Sequence, residues 1–166
     1  IVRAKAVLPP DAALGLSGVA TPRNVALLAY AGVDLVDATL ARTKGTQGMY
    51  LTADAEHFLA DLDELPCACP ACAKPRSEFT RADCAEHNAN ALAAELARVR
   101  GRIGQGRLRD YIEGQARHEA WRTATFRRPG QTYARPGARP PPRRSTAHSP
   151  APRRTPPSRS APAART

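Results

Sequence analysis

The sequence lacks any apolar run of the roughly 18 residues that a membrane-spanning helix needs. The stretch 1–8 is no signal peptide either, and Ile1 is not an initiator residue. The chain has only four cysteines and is not a short, cysteine-dense secreted domain, which argues against a disulfide framework. We therefore expect no membrane partner and a reducing, cytoplasmic location, and we expect the chain to be truncated at both ends.

The last forty residues lack what a folded domain requires. Residues 127–166 contain no acidic residue and no Leu, Ile or Val, but they hold ten of the 16 prolines. Residues 1–126 contain 15 Lys and Arg and 15 Asp and Glu, so the whole net charge of +10 comes from this tail. Such a composition predicts disorder.

Three interpretations of the tail remain open. Its arginines could tether nucleic acid or another anionic surface, because arginine binds phosphates. The tail could equally be a solvated linker without a partner. The abrupt loss of patterning after about Phe126 favours the third interpretation, which is a frameshift in GC-rich coding DNA.

The sequence does contain a dense group of metal ligands. Cys67, Cys69 and Cys72 form a CxCxxC loop, and His87 follows on a predicted helix. Three thiolates and one imidazole suit a tetrahedral zinc ion, and four protein ligands would make the site structural. The alternative is that these are free, buried cysteines in a reducing compartment. Cys84 lies three residues before His87, so spacing alone leaves open which of the two is the fourth ligand.

The first half of the chain predicts a βαβ unit. A short apolar stretch at 12–20 is followed by Thr21-Pro22, which suits the start of a helix over 22–31. Gly32 ends that helix, and 33–37 indicates a buried parallel strand. The loop at 18–24 could hold an anion at the helix start or simply form a turn.

Asp37 closes this second strand. In parallel barrels the carboxyl ends of the strands carry catalytic side chains, which makes Asp37 a candidate carboxylate nucleophile. The competing interpretation is an ordinary cap of the following segment, because Asp is common there.

The second half predicts three helices. One over 54–63 leads to the cysteine loop, an amphipathic one runs over about 81–103, and another begins near Gly106. Their polar faces are rich in arginine, which could bind RNA phosphates. The alternative is a solvated face paired with Glu95, Asp110 and Glu113. The candidate RNA-binding residues are Arg98, Arg102, Arg107 and Arg109.

Taken in order, these motifs resemble the tRNA-guanine transglycosylase family. The matching segments are Gly32-Val-Asp-Leu-Val-Asp37, Tyr50-Leu-Thr52, the cysteine loop, His87-Asn88 and the basic pair of helices, within about 12–126. The resemblance implies a (β/α)8 barrel with a zinc subdomain, in which His87 is the fourth ligand and Asp37 is the nucleophile. It also implies exchange of guanine for a 7-deazaguanine base in tRNA, on the route to archaeosine.

The chain departs from this family at two places. The interval from Cys72 to His87 is shorter, and the strand continues as Ala38-Thr-Leu-Ala-Arg42. Both departures resemble the paralogous archaeosine synthases, their alpha subunit in particular, which act on a deazaguanine nitrile already installed in tRNA. A rival hypothesis is a non-catalytic zinc module that binds RNA through its arginines.

The predicted architecture is α/β. We expect the C-terminal part of a TIM-type barrel over 1–66, a zinc-bearing helical subdomain over 67–126 and a disordered tail over 127–166. The family's general acid/base lies in the first half of its barrel and is absent from this chain, so we expect the chain alone to be inactive. We also expect it to be marginally stable or to aggregate, because two strands cannot close a barrel. A homodimer of the intact protein is left open.

Overall fold

The computed structural model describes residues 1–9 and 11–116, so the predicted tail and residues 117–126 lie outside the described part. The helices and strands are α1 (Val2–Val7), β1 (Gly15–Leu16), α2 (Val25–Tyr30), β2 (Leu35–Val36), α3 (Thr39–Thr46), β3 (Met49–Leu51), β4 (Glu56–Phe58), α4 (Arg81–Gly104) and α5 (Leu108–Ala116). Short 3-10 turns lie at Leu59–Asp61, Pro70–Cys72 and Arg76–Glu78.

The predicted βαβ unit is confirmed. Strands β1 and β2 pair in parallel, with Gly15 opposite Leu35 and Leu16 opposite Val36, and α2 connects them. The loop before α2 is a turn held by one side chain: the Asn24 carboxamide accepts the Thr21 N–H at 2.8 Å and donates to the Val19 carbonyl at 2.8 Å. These contacts support the turn interpretation of the loop over the anion-binding one.

The prediction that the second strand is buried is wrong at Leu35, whose side chain is 64% exposed. Within the described residues β2 has one strand neighbour, β1, and nothing there covers the face that carries Leu35. The sequence pattern predicted the strand correctly. Whether its side chains are buried depends on which other elements pack against it, and the pattern does not show that.

The predicted helix over 54–63 is also wrong. That stretch forms strand β4, antiparallel to β3 with Tyr50 opposite His57, followed by a 3-10 turn. The reversal is made by Thr52, whose N–H donates to the Ala55 carbonyl at 2.9 Å and whose hydroxyl accepts the Ala55 N–H at 2.9 Å. Backbone hydrogen bonds to β3 therefore outweigh the local helical preference.

The two predicted C-terminal helices are confirmed, and α4 is the central element. It begins with a capping box in which the Thr80 hydroxyl accepts the Asp83 N–H and the Asp83 carboxylate accepts the Thr80 N–H. Leu92 on α4 packs with residues of the first half of the chain, and Val99 packs with Ile112 of α5. Helix α4 thus connects the βαβ unit, the β3–β4 hairpin and α5.

The described part of the chain is a helix-rich α/β structure with one parallel and one antiparallel pair of strands. A closed barrel is not formed by these strands, and the barrel assignment remains a proposal. No helix within 1–9 and 11–116 is both long and apolar enough to cross a membrane.

Candidate functional site

The cysteine loop and helix α4 place four ligand side chains in one group. Cys67 and Cys69 precede the 3-10 turn Pro70–Cys72, which brings Cys72 back towards the helix. The Cys69 N–H donates to Cys67 Sγ at 3.4 Å, which orders the first turn of the loop. The Sγ atoms of the three cysteines and a ring nitrogen of His87 all lie within 4.8 Å of one another.

The separations among Cys69, Cys72 and His87 match the edges of a zinc tetrahedron, and Cys67 Sγ lies within 4.8 Å of these three ligand atoms. Zinc–sulfur and zinc–nitrogen bond lengths require S···S edges of about 3.8 Å and S···N edges of about 3.5 Å. Cys69 Sγ lies 3.6 Å from Cys72 Sγ, and His87 Nδ1 lies 3.5 Å from Cys69 Sγ and 3.3 Å from Cys72 Sγ. The four residues are therefore arranged to hold a metal ion, and their donor set suits zinc.

His87 is oriented for ligation by the strand behind it. Its Nε2 lies 3.0 Å from the Leu51 carbonyl oxygen and donates to it, which leaves the Nδ1 lone pair directed at the thiols. Burial lowers the pKa of His87, so the imidazole is neutral at pH 7 and able to bind a cation.

Cys84 lies outside the ligand group. Its Sγ is 3.5 Å from the Met49 carbonyl oxygen, and burial raises the pKa of its thiol to about 11. The choice that spacing left open is thus made by the geometry, which brings His87 and not Cys84 to the other three cysteines.

Burial disfavours a thiolate at both cysteines nearest to His87. At Cys72 burial prevails and raises the pKa of the thiol to about 12. At Cys69 burial also acts to raise the pKa, but hydrogen bonds from Cys72, Cys67 and Ala71 outweigh it, so the pKa of Cys69 is lowered. A bound dication would stabilise thiolates at both positions and release protons, so metal affinity should fall as the pH is lowered.

Asn88 supports the site in a way that the sequence interpretation missed. Its side chain is fully buried, accepts the Leu51 N–H at 2.9 Å, and donates to the Met49 and Ala41 carbonyls at 2.8 Å and 2.9 Å. The His87-Asn88 pair therefore occupies the edge of β3 that faces α4. The buried polar pair was the available signal, because an amide placed in a core needs several partners.

Asp37 lies at the carboxyl end of β2, next to the end of β1. Its carboxylate accepts hydrogen bonds from the Ser17 hydroxyl, from the Gly18 N–H at 3.0 Å and from the Thr39 N–H at 3.0 Å. The Ser17 bond, followed by these two N–H groups, lowers the pKa of Asp37 to about 2. The Thr39 bond caps the start of α3, while the Ser17 bond joins two strand ends, so features of both interpretations are present.

The four candidate RNA-binding arginines differ in their partners. Arg98 donates to Glu95 at 2.6 Å and Arg109 donates to Glu113 at 2.9 Å. Arg102 lies over the Tyr111 ring, 5.6 Å from its centroid. Arg102 also donates to Gln105 at 3.3 Å. The exposed side chain of Arg107 forms no hydrogen bond or ion pair with residues 1–9 and 11–116.

Glu95 differs from the exposed partner that the sequence suggested. Its side chain is fully buried between α4 and α5, where it also accepts from the Tyr111 hydroxyl at 2.5 Å and from Gln115 at 3.2 Å. Glu95 thus links α4 to Tyr111 and Gln115 of α5, and Arg98 neutralises its charge from the next turn of α4.

The sequence of this chain matches a known protein family. The family model described as queuine tRNA-ribosyltransferase matches residues 1–120, which include the metal ligands, Asp37 and the arginines. The chain belongs to this family. The resemblance inferred from the motifs is thereby confirmed.

Relatives within the queuine tRNA-ribosyltransferase family divide into two groups. The chain is 70% identical over 134 residues to the archaeosine synthase of Haloferax volcanii, covering 81% of the chain and 23% of the relative. It is 44% identical to the archaeosine synthase subunit alpha of Methanosarcina acetivorans, covering 72% and 20%. The tRNA-guanine(15) transglycosylase of Haloferax volcanii is 34% identical, covering 70% and 24%. The chain thus spans less than a quarter of the length of each of these relatives.

Proposed function

We propose that this chain is a segment of an enzyme that forms archaeosine in tRNA, and that it belongs to the archaeosine synthase side of the family. The observation that carries the proposal is the difference in identity: 70% to an archaeosine synthase against 34% to a transglycosylase of the same organism. The alternative is base exchange, in which a 7-deazaguanine base replaces guanine in tRNA.

Zinc is the proposed metal, held by Cys67, Cys69, Cys72 and His87. Borderline-soft zinc accepts both thiolate and imidazole, and the separations among Cys69, Cys72 and His87 fit its tetrahedron. Because all four positions are supplied by protein, the ion would link the cysteine loop to α4 rather than activate a water molecule. This role is structural.

Asp37 is the catalytic residue that we propose for the alternative function, base exchange. In base exchange, its carboxylate would attack the ribose anomeric carbon, the bond to guanine would break, and the incoming base would reverse the attack. The proposal is supported by a carboxylate that is ionised at neutral pH at the carboxyl end of a parallel strand, where barrels carry their active sites. In an enzyme acting on an installed base, the same carboxylate would have lost that role.

We place the segment in a TIM-type barrel completed by residues outside this chain, and we propose tRNA as its partner. Arg98 and Arg102 lie on the last turns of α4, Arg107 in the turn that follows and Arg109 at the start of α5, where they can meet phosphates. A tRNA substrate and reduced thiols together suit the cytoplasm. The 7-deazaguanine base and a homodimer of the intact protein remain further parts of the proposal.

The test is a pair of segment exchanges in Haloferax volcanii. Residues 1–120 replace the matching segment of its archaeosine synthase or, as the matched control, of its tRNA-guanine(15) transglycosylase, in cells that lack the respective native enzyme. Archaeosine in bulk tRNA is then measured by mass spectrometry. We expect the synthase chimaera to restore archaeosine and the transglycosylase chimaera to fail.

The other outcomes assign the alternatives. Restoration by the transglycosylase chimaera alone would favour base exchange, and an Asp37→Asn version should then lose activity. Undiminished archaeosine in an Asp37→Asn synthase chimaera would leave Asp37 as a cap of α3. If both chimaeras bind zinc and tRNA but neither restores archaeosine, the segment is a non-catalytic zinc module that binds RNA.

A further inference from the structure

Tyr50, in the middle of strand β3, is a buried residue with no role in the function proposed above. Successive side chains of a strand point to opposite faces, and here the two faces belong to different cores. Leu51 packs with Ala20 and Leu92, whereas Tyr50 packs with Cys72 and Phe79 on the side of the metal ligands. The Tyr50 side chain is 0% exposed.

The Tyr50 hydroxyl has a metal ligand as its partner. The phenolic oxygen lies 3.5 Å from Cys72 Sγ, a normal separation for a hydrogen bond to sulfur. A phenol keeps its proton at neutral pH, and a metal-bound Cys72 is a thiolate that can only accept. With metal bound, the hydroxyl therefore donates to the most buried of the three sulfurs.

The ring of Tyr50 contacts the other buried ligand. It is stacked on the His87 imidazole, with centroids 3.8 Å apart and planes inclined by 11°. Phe79 lies against Tyr50 with a centroid distance of 6.2 Å, so the tyrosine ring is itself held in place. Tyr50 and the Leu51 carbonyl thus fix the plane of the imidazole and the direction of its N–H.

We propose that Tyr50 is a positioning residue of the metal centre, whose hydroxyl holds the Cys72 thiolate and whose ring orients His87. This inference rests on the proposal that the four ligands bind zinc. It assigns to one side chain the support that metal-bound histidines and cysteines usually receive from surrounding groups.

The test measures the zinc dissociation constant of the full chain by competition with a chromophoric chelator. Tyr50→Phe removes the hydroxyl and keeps the ring, and we expect zinc to bind about tenfold more weakly. Tyr50→Leu also removes the stacking and should weaken binding further. Tyr111→Phe is the matched control, because it removes the hydroxyl of another, partly buried tyrosine, one that donates to Glu95. Its zinc affinity should equal that of the wild type.

Cobalt substitution provides a readout that a purely structural role would not move. The sulfur-to-cobalt charge-transfer bands should shift in Tyr50→Phe and stay unchanged in Tyr111→Phe. A second measurement needs no variant: in the cadmium-113 form of the wild-type chain, the Tyr50 hydroxyl proton should show scalar coupling to the metal through Cys72 Sγ.

The outcomes separate this inference from the proposal of a zinc site. Failure of the wild-type chain to bind one zinc ion would overturn both. Stoichiometric zinc in the wild type, together with equal affinity in Tyr50→Phe, would overturn the role of Tyr50 alone. If Tyr50→Phe does not fold, absence of the cadmium coupling in the wild type overturns it instead.

Discussion

At the scale of single residues, Cys84 and His87 lie one turn apart on α4 and have different surroundings. Both face β3, but Cys84 meets the Met49 carbonyl whereas His87 meets the Leu51 carbonyl and two thiols. The CxCxxC spacing was enough to predict three ligands, because it acts within one loop. The fourth ligand could not be chosen by spacing, since the choice depends on a strand more than thirty residues earlier in the sequence.

Zinc content should therefore respond to only one of these two residues. We expect His87→Ala to lose a ligand and at least tenfold in zinc affinity, and Cys84→Ala to keep one zinc ion per chain. Metal analysis of the purified variants, with affinity measured at fixed pH, checks this. Loss of zinc in Cys84→Ala with retention in His87→Ala would mean that the loop binds metal with a different fourth ligand.

At the scale of elements, the long helices were predictable and the hairpin was not. Leu92, Leu96 and Val99 recur at helical spacing along α4, so the sequence alone indicates a helix with one buried face. Strand β4 is three residues long and forms by pairing with β3, so its own sequence carries no comparable signal. The metal ligands lie where helix α4 meets the β3–β4 hairpin. The cysteine loop and α4 could therefore be predicted, whereas strand β3, which supports His87 and Asn88, could not.

The packing of α3 against α4 depends on Gly45. A Cβ atom added there would lie 2.3 Å from Ala85 Cα and 2.5 Å from Ala85 N, so a larger residue must push the helices apart. We expect Gly45→Ala to destabilise the zinc-loaded chain by about 1–3 kcal/mol. It should also weaken zinc binding, because Ala85 and His87 lie on the same helix.

Gly101→Ala on α4 is the control for this change. A Cβ atom at Gly101 meets nothing within 4 Å, so alanine should be neutral or should stabilise the helix by up to about 1 kcal/mol. Urea unfolding of both variants compares them directly. Equal midpoints for Gly45→Ala and the wild type would show that the two helices are not as closely packed as the structure indicates.

At the scale of the whole molecule, the net positive charge lies in the tail, so it does not indicate which surface of residues 1–126 would bind RNA. Residues 1–126 hold equal numbers of acidic and basic side chains, and the excess lies in the tail. What distinguishes the end of α4 is local: Arg98, Arg100, Arg102, Arg107 and Arg109 fall in a stretch of twelve residues that contains no acidic residue. The sequence could predict this stretch, and helical spacing could predict its two carboxylate pairs, Arg98 with Glu95 and Arg109 with Glu113. The burial of Glu95 could not be predicted, because it depends on how α5 folds against α4.

This difference predicts unequal contributions to tRNA binding. Arg107 forms no ion pair with the described residues, whereas Arg109 is paired with Glu113 at 2.9 Å. We expect Arg107→Ala to weaken tRNA binding and to reduce the slope of log affinity against log salt by about one. Arg109→Ala should have a smaller effect, because its carboxylate partner already offsets its charge.

Both substitutions remove one positive charge from the same full chain, so the contribution of the basic tail is common to the two and cancels in the comparison. Titrations of a transcribed archaeal tRNA at several salt concentrations measure the two slopes. Equal slopes for the two variants would mean that the Glu113 pair opens on binding. A phosphate contact that releases counterions must appear in the salt dependence. An unchanged slope for Arg107→Ala would therefore mean that the turn between α4 and α5 does not contact tRNA, and that the tail is the source of affinity.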